Sequence, residues 1–116
     1  MSKSIVTKYE DYSVFSGTPA EAKHHLIFGT GFRRMAEDDG LWIPLLNKEH
    51  NMSPKGTIYQ IHGNPAAEKL SKMLGQASWE TQLLSEALEE ATGTPTEVWR
   101  DRARSAFLAR YGQSWM

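Results

Sequence analysis

The sequence predicts an α+β domain, with short strands and loops in its first half and about three helices in its second. Residues 12–62 hold only short apolar runs, such as Tyr12-Ser13-Val14-Phe15 and Leu41-Trp42-Ile43-Pro44-Leu45-Leu46, separated by Gly and Pro. That punctuation belongs to turns between short strands. Residues 64–112 instead repeat apolar positions three and four apart, framed by cap-type residues and by Gly75, Gly93 and Gly112, the signature of helices. A chain of 116 residues fits one domain around one modest core.

Residues 1–11 are polar and read as an arm, with a short strand at Ile5-Val6. Tyr12–Phe15 reads as a strand, Gly17-Thr18-Pro19 as a turn and Glu21–Leu26 as a second strand. A loop with Gly29 and Gly31 follows, then one or two helical turns over Phe32–Asp39. In Leu41–Leu46, Pro44 restricts the run to an edge strand or a strand end. Asn47–His50 suits a short helical turn, residues 51–56 a loop, and Ile58–Ile61 a short apolar run toward His62.

The helical half has sharper signals. Asn64 caps and Pro65 starts a first helix, with Ala66, Leu70, Met73 and Leu74 on one face and Gly75 as its stop. Ser78 caps a second, with Trp79, Leu83, Ala87, Leu88 and Ala91 inward and Gly93 after it. Thr94-Pro95-Thr96-Glu97 reads as a capping box for a third, which buries Trp99, Ala103, Ala106 and Phe107 before Gly112.

Composition narrows the function classes. Hydrophobic residues at 40% and charged residues at 23% argue for a globular chain and against a disordered one. No run approaches the roughly 20 apolar residues of a membrane helix. The N-terminal residues lack a signal-peptide core, so a cytoplasmic protein without a membrane partner is expected. With no cysteine, disulfides, thiolate zinc sites and thiol catalysis are excluded. A net charge of -1 gives no global attraction to nucleic acid. The distribution allows a local basic face without establishing one: arginines cluster at Arg33-Arg34 and at Arg100, Arg102, Arg104 and Arg110, while acids gather at Glu37-Asp38-Asp39 and from Glu86 to Glu90.

The four histidines, His24, His25, His50 and His62, all fall in the first 62 residues. Neutral imidazole is both a common metal ligand and a general base near pH 7. Phosphodiester hydrolysis needs an activated water, charge stabilisation and help for the leaving oxygen. Adjacent residues of an extended chain point to opposite sides. One of the His24-His25 pair can therefore face a metal while the other faces water. His50 and His62 can complete the metal site, with His62 held by the helix start at Asn64.

These stretches resemble the HNH (ββα-metal) endonucleases, and most closely the small phage and prophage HNH-like proteins. That group carries a histidine pair, an Ile-Phe-Gly-Gly-like turn and an Asn-Arg-Lys-like segment, similar here to His24-His25-Leu26-Ile27-Phe28-Gly29 and Phe32-Arg33-Arg34. Its Gly-Leu strand leading to a Cys-x-x-Cys-His knuckle is similar to Gly40–His50, with the histidine kept. A later histidine opening a helix matches His62, and a Phe-x-x-x-Tyr-Gly segment matches Phe107–Gly112. The resemblance covers roughly residues 12–74 and 102–112.

It implies a ββα-metal core over residues 12–74 and a helical extension over 75–116 within one domain. It implies a DNA endonuclease using one divalent ion (Mg, Mn, Zn or Ni). His25 is then the general base and His24, His50 and His62 the metal ligands. Arg33 is implied as catalytic and phosphate-binding, with Arg34 and Lys55 as further substrate contacts. In the group's two Cys-x-x-Cys pairs, Ser13 and Ser16 stand in the first pair's places here, and Leu46 and Glu49 in the second's. No structural zinc is therefore expected, and packing by Phe15, Leu41, Ile43 and Leu45 must replace it. The asparagine that names the family has no counterpart, although Asp39-Gly40 falls near its place. Residues 76–100 match nothing in the group. A non-catalytic, metal-stabilised DNA-binding or packaging module is the alternative, and the second and third helices offer a surface for a homodimer.

Overall fold

A computed structural model describes residues 2–52, 60–90 and 96–116 of the chain. It is an α+β fold: β1 (Ala22–His25), α1 (Phe32–Asp38), β2 (Trp42–Leu45), α2 (Asn47–His50), α3 (Pro65–Glu90) and α4 (Thr96–Tyr111). Ile58 and Tyr59 of the short apolar run, the Thr94-Pro95 start of the third helix and Lys55 lie outside the described residues.

β1 and β2 form one antiparallel pair, with His24 opposite Ile43 and His25 opposite Trp42. The Leu41 and Leu45 carbonyls bond toward the β1 side, to the amides of Leu26 and Glu21. The Trp42 and Pro44 carbonyls point the other way, to Ser4 Oγ at 2.7 Å and the Val14 amide at 3.1 Å. Pro44 therefore lacks its N–H on the side where no strand pairs, so the ladder loses no bond.

Tyr12–Phe15 is a turn and not the predicted strand. The Ser13 amide donates to Thr18 O and Gly17 donates back to Ser13 O, both at 2.8 Å, leaving only a bridge between Tyr12 and Pro19. Ser13 Oγ accepts from the Phe15 and Ser16 amides. Its own proton goes to Glu49 Oε1 at 2.6 Å, an oxygen that also accepts from the Leu46 amide. Phe15 itself is exposed. The expected replacement for the knuckle is thus corrected: Leu41, Ile43 and Leu45 are buried, but a serine–glutamate hydrogen bond joins the two loops in place of Phe15. The predicted strand at Ile5-Val6 reduces to one backbone bond, from Ile5 N to Gly40 O.

Among the described residues the C-terminal part has two helices, α3 and α4, rather than about three. Gly75 does not end the first, and α3 runs through it for 26 residues. The reason is packing. A Cβ at Gly75 would stand 2.8 Å from Ile27 Cγ1 and 3.1 Å from Leu26 Cβ, so glycine here lets the helix press against the segment after β1. The inward face is consequently Ala67, Ser71, Gly75, Gln76 and Trp79, while Ala66, Leu70 and Leu74 are exposed. Asn64 caps α3 as expected, accepting the Ala67 amide at 3.3 Å.

The core joins Leu26, Ile27, Ala36, Leu41, Ile43, Leu45 and Ile61 to Phe107 and Tyr111 of α4. Each large apolar side chain so buried contributes about 1.5–3 kcal/mol. Tyr111 stacks on Phe107 at 4.7 Å, and its hydroxyl donates to Asp39 Oδ2 at 2.8 Å. Arg110 grips the same carboxylate with two N–H groups. α4 is thereby fixed to the end of α1. Among the described residues no helix is long and apolar enough to cross a membrane.

Candidate metal centre

The strand pairing that buries Leu26 and Ile27 also turns His24 inward, where it is fully buried. His50 ends α2, and the chain returns beside it: Ile61 N donates to Glu49 O at 2.9 Å and His62 N to His50 O at 3.0 Å. Two backbone bonds thus set His50 and His62 side by side. The three rings meet edge to face, with centroids 5.2 Å (His24–His50), 5.0 Å (His24–His62) and 4.7 Å (His50–His62) apart. Each offers one nitrogen, and these nitrogens lie within 4.8 Å of one another. Phe28 walls the cluster, edge-on to His62 at 4.7 Å.

Hydrogen bonds fix the proton on His24. Ser71 Oγ donates its single hydrogen to Leu26 O at 2.8 Å. It must therefore accept from His24 Nε2–H, 2.7 Å away. His24 Nδ1 is left as a lone-pair nitrogen, buried and without a hydrogen-bond partner. Such an unpaired buried acceptor costs about 1–3 kcal/mol, and a cation among the three rings would satisfy it. His62 Nδ1 lies 3.6 Å from Glu68 Oε2, which leaves its Nε2 for the cluster. Carboxylate and hydroxyl partners on the far nitrogens of histidines are the usual way ligand rings are oriented.

Burial, then the neighbouring His62 and His50, pushes His24 down to about 2. Burial, followed by His62 and Arg33, pushes His50 down to about 4. Both rings are neutral at pH 7 with their lone pairs free. The donor set thus fits one divalent ion that accepts imidazole nitrogen.

His25 faces the other way. Its Nε2 lies 2.8 Å from Glu37 Oε1. Lys23, two residues earlier and so on the same side of β1, reaches both Glu37 oxygens at 3.1 and 3.2 Å and lies over the Trp42 ring at 4.2 Å. The His25 hydrogen bond holds the Glu37 carboxyl below its usual range, outweighing the opposing effect of burial, and the Lys23 ammonium adds to the lowering. A cleft of about 190 Å³ joins the two sides of the site, lined by Lys23, His25, Phe28, Arg33, His50, Asn51 and His62. An apolar groove of about 600 Å³, lined in part by Tyr9, Tyr12, Phe15 and Leu74, contains none of these histidines.

The structure therefore brings His24, His50 and His62 together and sets His25 and Arg33 at the same cleft. Arg34 is exposed and does not line that cleft, because successive helix positions turn by about 100°. Of the C-terminal arginines, Arg104 and Arg110 are engaged by Glu80 and Asp39, and Arg102 stacks over Trp99. Three participants escaped sequence reasoning: Glu37, Ser71 and Glu68. Glu37 had a signal, since it lies four residues after Arg33 and shares its helix face. Glu68, in the first turn after His62, had a weaker one. Ser71 had none, because its role depends on how α3 docks. No protein-family model matches this chain, and no curated protein or solved structure matches it significantly.

Proposed function

We propose that this protein is a metal-dependent endonuclease of the HNH, ββα-metal type, of phage derivation, that hydrolyses phosphodiester bonds in DNA. One observation carries the reading: two adjacent histidines are divided between two tasks. His24 is buried in a three-imidazole cluster with an unpartnered nitrogen, while His25 stands at the cleft against a carboxylate. Burying a histidine purely for packing favours one whose polar atoms are all satisfied, and His24 is not.

Bound by His24, His50 and His62, a divalent ion would supply Lewis-acid polarisation of the phosphate and charge stabilisation for the leaving oxygen. An all-nitrogen site suits zinc or nickel better than magnesium, which prefers oxygen ligands. His25 takes a proton from water. The water oxygen forms the new bond to phosphorus, the bond to O3′ breaks, and O3′ leaves to be protonated from solvent. Arg33, at the cleft, contacts a phosphate oxygen. Arg34 and Lys55 add phosphate contacts, so affinity falls as salt rises.

The test is nicking of supercoiled plasmid with magnesium, manganese, nickel, zinc or EDTA, beside His25→Ala. Metal-dependent nicking, lost in EDTA and in the variant, is expected. Full activity in His25→Ala removes the assigned base. A second reading, a non-catalytic metal-stabilised DNA-binding or packaging module, draws on the same Lys23–Glu37–His25 contacts, which also serve as a structural ion-pair cluster. Metal and DNA binding without cleavage under any ion favours it.

A further inference from the structure

We propose that Glu37 is the positioning residue of His25, holding the ring with Nε2–H toward the carboxylate so that Nδ1 is the nitrogen left to accept a proton. This rests on the nuclease reading above. The geometry is specific. Lys23 and His25 share one face of β1, opposite to His24, and Glu37 bonds both. The carboxylate is thus oriented by two donors from one rigid strand.

Its own helix is equally constrained. α1 starts at Gly31, whose φ of 85° suits glycine, buries Ala36 in the core, and ends at Asp39, which Arg110 and Tyr111 grip. A carboxylate that accepts from one ring nitrogen can only do so from its N–H, since it has no proton of its own to give at neutral pH. The tautomer is therefore set by Glu37, as His24's is set by Ser71. Both neighbours are thus held as the Nε2–H tautomer, and only their surroundings differ: the unpartnered Nδ1 of His24 is buried beside the ligand cluster, and Nδ1 of His25 is left for water. A ring held in the wrong tautomer presents N–H where a lone pair is needed, and removing such an orienting partner costs orders of magnitude in rate elsewhere.

The test compares wild type, Glu37→Ala, Glu37→Gln and His25→Ala, each checked for folding by thermal melt. Four quantities are read: plasmid-nicking rate with manganese, DNA affinity, zinc affinity by chelator competition, and the His25 ring ¹⁵N shifts. Glu37→Ala should slow nicking by about 10–100-fold with DNA and zinc affinity unchanged, and its His25 shifts should become a mixture of tautomers. Glu37→Gln, which keeps an oxygen to accept Nε2–H, should retain more activity than the alanine variant. Nicking by Glu37→Ala within twofold of wild type, with His25→Ala inactive, overturns the role of Glu37 and leaves the nuclease reading standing. Unchanged His25 shifts, or a rate loss matched by an equal loss of zinc affinity, overturn it too. A wild type that nicks with no ion overturns the nuclease reading and this role together.

Discussion

Ser71 decides which nitrogen His24 can offer. Its hydroxyl is spent on Leu26 O and so fixes His24 Nε2–H. Ser71→Ala should leave that N–H unpaired, destabilise the fold by about 1–3 kcal/mol, and weaken zinc binding by about 10–100-fold. A denaturant melt and a chelator competition measure both effects. The same burial makes the metal-free protein acid-sensitive. His24 and His50 titrate well below 6.5 in the fold, near 2 and 4, and near 6.5 once unfolded. The unfolded chain therefore binds protons first. Stability is full above pH 6.5 and is lost as pH falls toward 4 and below. Urea melts in EDTA at pH 7.5 and 5.0 should show the loss before ordinary carboxylates titrate, and His50→Gln should reduce it.

At the scale of elements, α3 carries the clearest lesson. Asn64 and Pro65 announced its start because capping is local chemistry. Its continuation through Gly75 was not legible, because glycine reads as a stop unless the partner surface is known. That surface is Leu26 and Ile27, at 2.8–3.2 Å from the missing Cβ. Gly75→Ala should therefore destabilise, despite a helix propensity gain of about 1 kcal/mol, because overpacking costs about 1–3 kcal/mol. Since Leu26 and Ile27 directly follow His25, zinc affinity should fall as well. Thermal melts with and without zinc measure both. Tyr12–Phe15 departs from its strand reading for a related reason: its β-branched and aromatic residues suggest a strand, whereas Ser13's bonds to its own loop and to Glu49 close a turn.

Across the whole molecule, the candidate centre ties together pieces far apart in the chain: β1, the end of α2 and the segment leading into α3. Their histidines were legible as candidates, since the chain has four imidazoles and no cysteine. Of their orienting partners, Glu37 and Glu68 carried only local signals, the one four residues after Arg33 and the other in the first turn after His62, and Ser71 carried none, because its role depends on how α3 docks. An ion bound there should hold the hairpin, the return segment and α3 together. Zinc at a hundred times its Kd should raise stability by about 2.7 kcal/mol, and EDTA should reverse the gain in a calorimetric scan.

The central claim is the division of the adjacent pair, one imidazole for the ion and one for water. Titrating the ¹⁵N-histidine-labelled protein with zinc, and following all four rings, reads it directly. One equivalent should saturate the signal, shifting His24 Nδ1, His62 Nε2 and a nitrogen of His50, while His25 keeps its Nε2–H bond to Glu37. Zinc that shifts His25 with the others, or that leaves His24 untouched, would contradict it.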